Sequence, residues 1–467
     1  MTDIFCNSIE RFGGRVALIA ESGEEVSYAE MIDKADRIAS AAEPGSVVLQ
    51  ACRNDTESIT AYVGFLRRGV VPILINDSMN KNLIASLVDA YHPSCVYMRA
   101  DQVADADSVV YRCGNYVLVR SAVVTDYDVN PDLALLLSTS GSTGSPKLVR
   151  QSRENITSNT DAIVQYLKIS QDDRAITTLP MGYTFGLSVI NTHLCIGATL
   201  VLTNKTLMDR DFWGALKTHR AATFPGVPYT YEMLKKLRFE RMDLPSLKYL
   251  SQAGGRLSPE LCAEFIGICE RKGMEFIIMY GQTEATARMS YLPWEDAKPR
   301  PGSIGKAIPG GQFWIEDSGG RMITEPGAVG ELMYRGKNVT LGYAESRFDL
   351  ARGDDNNGVL ATGDMAKFDG DGFYYIVGRK KRFLKLYGNR VNLDDVERLL
   401  DRAGYESACS GIDDNMRVYT THRPIDAVRD FIVNDIGLQP AGVSMIEIDR
   451  IPRNSSGKVS YSDLERD

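Results

Sequence analysis

Apolar positions along the chain fall into short continuous runs separated by amphipathic stretches, and that rhythm sets the expected fold class. From residue 15 to 130, runs such as Ser46-Val47-Val48-Leu49-Gln50 and Val70-Val71-Pro72-Ile73-Leu74-Ile75 alternate with helical patterns such as Lys81 to Ala90. Runs too continuous for a half-solvated sheet read as strands buried on both faces, with helices between them. The rhythm recurs around Arg174 to Leu202 and again from Ala221 to Met279. Between Pro299 and Tyr343 it gives way to glycine-punctuated strands with turns at Pro309-Gly310-Gly311 and Asp317-Ser318-Gly319-Gly320, which predict a small β-rich subdomain. After Gly378, helix-like Leu393 to Ala403 and Ile425 to Ile436 predict a compact C-terminal module. The expected fold class is therefore α/β and multidomain: a large N-terminal α/β body with a β-rich subdomain, followed by a small α+β C-terminal module.

Length agrees, since 467 residues exceed what one core usually organises. With 53 basic and 61 acidic residues the net charge is −8, which argues against nucleic acid as a partner. The local basic cluster Arg379-Lys380-Lys381-Arg382 with Lys385 runs against that balance. Eight cysteines contain no C-x-x-C pair and lie mostly in apolar contexts, as reduced core residues do, and four isolated histidines offer no zinc or catalytic-histidine cluster. The N-terminal residues lack a basic region followed by an apolar run, and no segment approaches the ~20 apolar residues that span a bilayer. A soluble, cytoplasmic protein without a membrane span is expected.

The chemistry begins where the apolar run Leu133-Ala134-Leu135-Leu136-Leu137 delivers a loop, Thr139-Ser140-Gly141-Ser142-Thr143-Gly144-Ser145-Pro146-Lys147. Glycines let several backbone N–H groups turn toward one anion, hydroxyls add donors, and lysine supplies a mobile positive charge, so the loop suits phosphate. It is not a G-x-x-x-x-G-K-[ST] loop, because Pro146 biases Ser145 away from helical angles and no helix should open there. Further on come Tyr280-Gly281-Gln282-Thr283-Glu284, Thr362-Gly363-Asp364, Gly378-Arg379-Lys380-Lys381 with Lys385 and Gly388-Asn389-Arg390, and Asn454-Ser455-Ser456-Gly457-Lys458. In this order and spacing, from about Leu133 to Lys458, the blocks resemble the signatures of the adenylate-forming (AMP-binding) superfamily, which includes acyl- and aryl-CoA synthetases and stand-alone acyl-carrier-protein ligases.

The resemblance implies an architecture and a set of roles. Residues 1–378 would form the N-terminal adenylate-forming domain, its β-rich subdomain at about 299–378. Residues 379–467 would form a mobile lid with its hinge near Lys381. ATP would be bound by Thr139, Ser140, Gly141, Ser142, Thr143, Gly144 and Lys147 at the β- and γ-phosphates, by Ala253, Gly254, Gly255 and Tyr280 about the adenine, by Asp364 and Arg379 at the ribose, and by Gly281 and Gln282 of the Tyr280 block. Thr283 would donate to the α-phosphate and Glu284 would hold Mg²⁺, a hard cation suited to a carboxylate. Lys458 would bridge the substrate carboxylate and the α-phosphate, so that Lys458, Thr283 and Glu284 make up the catalytic set. Lys385 and Gly388 would belong to the face used for thiol transfer after the lid turns. Three departures from the family pattern stand out: Leu148 replaces the usual glycine after the loop lysine, Tyr461 replaces an arginine often found soon after the last lysine, and the lid is short around Cys409 to His422.

Amino-acid-activating relatives carry an aspartate that pairs the substrate ammonium, thirteen residues before a Gly-Ala-x-Leu turn. Counting back from Gly197 of Gly197-Ala198-Thr199-Leu200 lands on Thr184, within Tyr183-Thr184-Phe185-Gly186. A neutral threonine cannot offset the desolvation of a buried ammonium. The expected substrate is an acyl or aryl acid that is not an α-amino acid, with Tyr183, Thr184 and Phe185 at its pocket. The expected enzyme is an AMP-forming acid–thiol ligase using ATP and Mg²⁺, making acyl-AMP and passing the acyl group to the phosphopantetheine thiol of CoA. The alternative acceptor is an acyl carrier protein in trans, since no carrier module follows Asp467. A non-catalytic adenylate-binding pseudoenzyme would require loss of Lys147, Glu284, Asp364, Arg379 or Lys458, and all are present.

Overall fold

The structure, a computed structural model, describes residues 5, 8–103, 108–122, 127–138, 147–387, 389–436, 438–453 and 459–464, with the backbone alone at 381, 383, 385, 389 and 390. The chain packs as two units: residues 1–313 with 334–360, and residues 314–333 with 361–467.

The first unit holds two large sheets. In one, Val47–Cys52 and Val71–Asn76 are adjacent parallel strands joined by helix Thr56–Arg68, a βαβ crossover that buries all six positions of the first strand. Asp55 caps the helix by accepting the Ser58 backbone N–H, and Gly69 ends it in the left-handed region at φ 73°. Leu133–Ser138 lies parallel to Val71–Asn76 and pairs antiparallel with Leu148–Ser152, which pairs in turn with Gly342–Ala344. The segment after Lys147 is thus a strand and not a helix. Valine, isoleucine and leucine from these strands form one core, with Ile73, Leu136 and Leu148 packed together.

The second sheet runs through six parallel strands, Glu275–Tyr280, Tyr249–Gln252, Thr223–Gly226, Arg174–Ile176, Thr199–Val201 and Val16–Ile19, with antiparallel strands beyond each end. Ligands of open parallel sheets bind beyond the carboxyl ends of the strands. Two of the expected ATP blocks occupy that position: Ala253-Gly254-Gly255 follows Gln252, and Gly281 to Glu284 follows Tyr280, from neighbouring strands paired Gln252 to Ile278.

The second unit carries most of an antiparallel sheet ordered Met322–Ile323, Gln312–Glu316, Gly330–Arg335, Val359–Phe368 and Tyr374–Arg379, the glycine-punctuated region of the sequence. Beyond it, hairpin Phe383–Leu386 and Asn389–Asn392 precedes helix Leu393–Arg402. A three-stranded sheet, Ser407–Ile412, Asn415–Thr420 and Val443–Glu447, packs with helix Ile425–Asn434 on a core that includes Leu400, Val418, Val428 and Ile432. This division reflects packing, whereas the hinge expected near Lys381 concerns motion; Lys381 lies in the short 3₁₀ turn Lys380–Arg382 and Lys385 in the strand Phe383–Leu386.

Candidate active site

In the first unit, Glu284 sits in a 3₁₀ turn, Thr283–Ala285, directly after strand Glu275–Tyr280. Gly281 is required there, because a Cβ at that position would lie 1.8 Å from the Ala287 carbonyl oxygen. Thr286 adopts φ +66°, an uncommon conformation for a threonine, and buried side chains hold the bend in place. Asn338 Nδ2 donates to the Ala285 and Arg288 carbonyls at 3.0 and 2.9 Å, and Asn159 Nδ2 donates to the Arg288 carbonyl at 2.7 Å. Thr340 donates its N–H and its hydroxyl to the Glu284 carbonyl, each at 3.0 Å.

The Glu284 side chain is tied to Lys147 through one tyrosine. Tyr343 donates its hydroxyl to Glu284 Oε1 at 2.7 Å, and Lys147 Nζ lies 3.9 Å from the centre of the same ring and 3.8 Å from Glu345 Oε1. Burial and the adjacent Glu284 carboxylate both push the Tyr343 phenol well above its ordinary pKa, so it remains a donor. A buried arginine fixes the strand that bears Tyr343. Arg150, wholly buried, donates to the carbonyls of Leu341 (2.7 Å), Tyr343 (3.1 Å), Arg352 (2.6 Å) and Gly353 (3.1 Å), and pairs with Asp355 Oδ2 at 2.6 Å.

Tyr183-Thr184-Phe185 opens helix Thr184–Cys195. The Tyr183 hydroxyl closes on Gly254, where a Cβ would come within 2.4 Å of it and φ is +83°. The expected acyl pocket and one expected adenine block are therefore in direct contact. Phe185 lines a small cavity together with residues of the parallel sheet and Arg288; Thr184 is buried but lies off that wall. At the end of the parallel strand, Gln282 Nε2 donates to the Tyr280 hydroxyl at 3.1 Å.

In the second unit, Asp364 and Arg379 are cross-strand partners in an antiparallel pair, joined by Arg379 Nε to Asp364 Oδ1 at 2.7 Å. The Asp364 side chain is 3 % exposed and that of Arg379 57 %. Arg382, from the basic cluster, is turned inward: it donates to Asp394, Glu397 and the Cys409 carbonyl, and its guanidinium lies 4.1 Å from the centre of the Tyr461 ring. The Tyr461 hydroxyl bonds Glu397 at 3.0 Å. The tyrosine that departs from the family pattern thus completes a half-buried charge network. Thr139, Ser140, Gly141, Ser142, Thr143, Gly144, Gly388 and Lys458 lie outside the described residues. Among the described residues, no group of three or more His, Cys, Asp or Glu could by itself hold a metal ion, and no helix is long and apolar enough to cross a membrane.

The sequence pattern of the AMP-binding enzymes matches residues 5–344. The chain belongs to the AMP-binding enzyme family. It is an enzyme of the AMP-forming acid–thiol ligase class. The enzyme is 27% identical over 481 aligned residues to the indoleacetate–CoA ligase of Aromatoleum aromaticum, covering 95% of this chain and 93% of that protein. It is 26% identical over 477 residues to the 2-succinylbenzoate–CoA ligase of Bacillus subtilis, covering 97% and 95%. Its fold matches the AMP complex of o-succinylbenzoate CoA synthetase (MenE) from Bacillus subtilis with a TM-score of 0.81 over 98% of both chains at 23% identity. The ATP complex of MatB from Rhodopseudomonas palustris matches with a TM-score of 0.79, over 99% of this chain and 98% of that one at 22% identity.

Three residues of the candidate site of this AMP-binding enzyme escaped the sequence reading: Tyr343, Arg150 and Arg288. Arg150 carried a usable signal, being a charge inside Leu148-Val149-Arg150-Gln151-Ser152, a strand whose every position is buried. Arg288 and Tyr343 had none, since their roles arise from contacts with residues far away in sequence.

Proposed function

We propose that this enzyme activates a carboxylic acid lacking an α-amino group with ATP and transfers the acyl group to the thiol of CoA. The observation that carries the reading is the Lys147–Tyr343–Glu284 arrangement beside the strand ends that bear Ala253-Gly254-Gly255 and Tyr280. A cation for phosphate, a carboxylate for the accompanying metal and an open backbone for a flat base converge there. In the first step a carboxylate oxygen attacks the α-phosphorus of ATP, the bond from that phosphorus to its bridging oxygen breaks, and pyrophosphate leaves. Like charges must be brought together, so the residues act mainly by positioning and by fixed charge. Lys147 and the loop from Thr139 to Gly144 hold the outer phosphates, Thr283 donates to the α-phosphate, and Tyr280, Gly281 and Gln282 meet the adenine with Ala253, Gly254 and Gly255. Asp364 and Arg379 take the ribose, and Lys458 follows negative charge from the carboxylate to the α-phosphate.

Glu284 would hold Mg²⁺, which bound there neutralises the phosphates. A single carboxylate without a preformed cage fits an ion that keeps several water and phosphate oxygens. In the second step the thiol sulfur attacks the acyl carbonyl carbon, AMP leaves, and the thiol proton passes to solvent. Lys381 is the proposed hinge, with Lys385 and Gly388 on the face serving this step. The buried, neutral Thr184 supports exclusion of an α-ammonium, and the acids in the names of the relatives, indoleacetate, 2-succinylbenzoate and oxalate, carry none. Their being CoA ligases supports CoA as the acceptor. The test is a panel of carboxylic acids read as pyrophosphate release with CoA, with acyl carrier proteins and with neither. Acyl-CoA from an unaminated acid is expected; thioester formed only on a carrier protein moves the acceptor to that partner, and release without any acid contradicts the proposal.

A further inference from the structure

Helix Thr184–Cys195 turns one face, Phe185, Ser188, Val189, Thr192 and His193, toward this small cavity, the spacing that aligns residues on one side of a helix. Facing it is Arg288, whose backbone Asn159 and Asn338 hold through the Arg288 N–H and carbonyl. Its side chain is an anomaly. Arg288 is 3 % exposed, forms no ion pair with any described residue, and leaves Nε without a hydrogen-bond partner. Nη2 reaches Ser188 Oγ only at 3.3 Å and Nη1 the Ala287 carbonyl only at 3.4 Å, the guanidinium carbon lies 3.8 Å from the centre of the Phe185 ring, and the Tyr166 and Tyr183 phenols beside it, kept neutral by burial, supply no counter-charge.

Burial pushes the guanidinium pKa down, yet arginine does not give up its proton in proteins, so the charge stays and needs a counter-ion. The same unit shows how a buried arginine is satisfied when its role is structural: Arg150 has four carbonyls and the Asp355 carboxylate. Across the cavity, His193 Nδ1 bonds the Val189 carbonyl at 2.9 Å, which places its proton there and leaves the buried Nε2 without a partner. That nitrogen accepts as it stands and donates once protonated. The cavity therefore presents a charged fork with an unused Nε donor and one adaptable polar atom, among apolar side chains and the hydroxyls of Ser188, Thr192, Thr223, Tyr249 and Ser251, none of which supplies a counter-charge.

We infer that this cavity receives the far end of the substrate and that Arg288 pairs with a second carboxylate there, making the preferred substrate a dicarboxylic acid. The inference rests on the proposed function, in which Tyr183 to Phe185 border the acyl site. A site built to bind a charged group rejects the analogue lacking it far more strongly than an apolar pocket rejects a missing methylene.

The experiment compares adipate with monomethyl adipate and hexanoate, and terephthalate with monomethyl terephthalate and 4-methylbenzoate, by pyrophosphate release. At least one diacid is expected to exceed both its monoester and its monoacid by about 10²-fold or more in kcat/KM. Arg288→Met should reverse that order, losing the diacid while keeping or gaining the monoacid; a merely structural arginine would lower both alike. If monoacid or monoester is used as well as the diacid by the native enzyme, the inference is overturned whether or not the variant folds. Calorimetric titration of the same acids without ATP separates this inference from the ligase reading. Diacid binding that Arg288→Met removes, with no pyrophosphate released by any acid, keeps the dicarboxylate site and overturns the ligase proposal; absence of both binding and release overturns both.

Discussion

Arg150→Met tests the physical core of the site most severely. Methionine keeps much of the apolar stem and removes every donor from a side chain that is wholly buried. Four carbonyls, those of Leu341, Tyr343, Arg352 and Gly353, and the Asp355 carboxylate lose a charged partner at 2.6–3.1 Å. Removing one member of a buried charge pair typically costs ~3–5 kcal/mol, because the remaining groups stay desolvated. The Asp355 side chain is 35 % exposed and keeps its pair with Arg352 at 2.8 Å, so water and that guanidinium recover part of its loss, which places the expected cost near the lower end, about 3 kcal/mol. Asp355→Asn keeps an acceptor and all four carbonyl bonds but removes the carboxylate facing the buried guanidinium, so it should cost less than Arg150→Met but more than a neutral hydrogen bond, about 2 kcal/mol. Thermal melting followed by circular dichroism should show a drop of several degrees for Arg150→Met and a smaller one for Asp355→Asn. Pyrophosphate exchange at subsaturating ATP should also fall, since strand Gly342–Ala344 carries the tyrosine that contacts Lys147 and Glu284. An Arg150→Met variant that melts with the native protein would refute the reasoning, and one that melts early with unchanged ATP dependence would detach this clamp from the site.

Lys458→Ala should reduce acyl-AMP formation by ~10²–10³ or more while transfer to CoA from supplied acyl-AMP stays nearly intact; equal slowing of both half-reactions in rapid-quench measurements would contradict the assigned role. Thr184→Asp should weaken use of the natural acid by burying an unpaired charge, measured as a raised KM, and a variant with unchanged KM would remove Thr184 from the specificity argument. Burial pushes His193 down from 6.5 to about 4. Its neutral form is favoured on folding, so its contribution is full above about pH 6.5 and is lost as the pH falls toward 4, where the unfolded chain binds the extra proton; the linked free energy is of order 3 kcal/mol. His193→Asn should flatten the fall of unfolding free energy in that window, and an identical pH profile would show that His193 does not titrate as described.

The strands and helices of the first unit were legible because their runs are continuous and their period is regular. Val47–Cys52, Val71–Asn76 and Lys81–Tyr91 fall within two residues of where hydrophobicity alone puts them. The roles proposed for Glu284 and Asp364 rest in the sequence on ordered blocks alone, since a lone acidic residue after a turn is usually a cap. Tyr343 and Arg288 were not legible: Tyr343 meets Lys147 across a strand pairing, Tyr343 to Val149, that joins segments nearly 200 positions apart, and Arg288 gains its meaning from a cavity wall supplied by another helix. Tyr461 shows the converse, a departure visible in sequence whose purpose, packing on Arg382 and bonding Glu397, appears only in three dimensions.

The fate of one oxygen atom tests the central claim most directly. With an accepted acid labelled with ¹⁸O in its carboxylate, ATP and CoA, attack of the carboxylate on the α-phosphorus predicts one labelled oxygen in the released AMP and none in the pyrophosphate, read by mass spectrometry. Label recovered in inorganic phosphate, with ADP in place of AMP, would mean attack at the terminal phosphorus and would contradict the account.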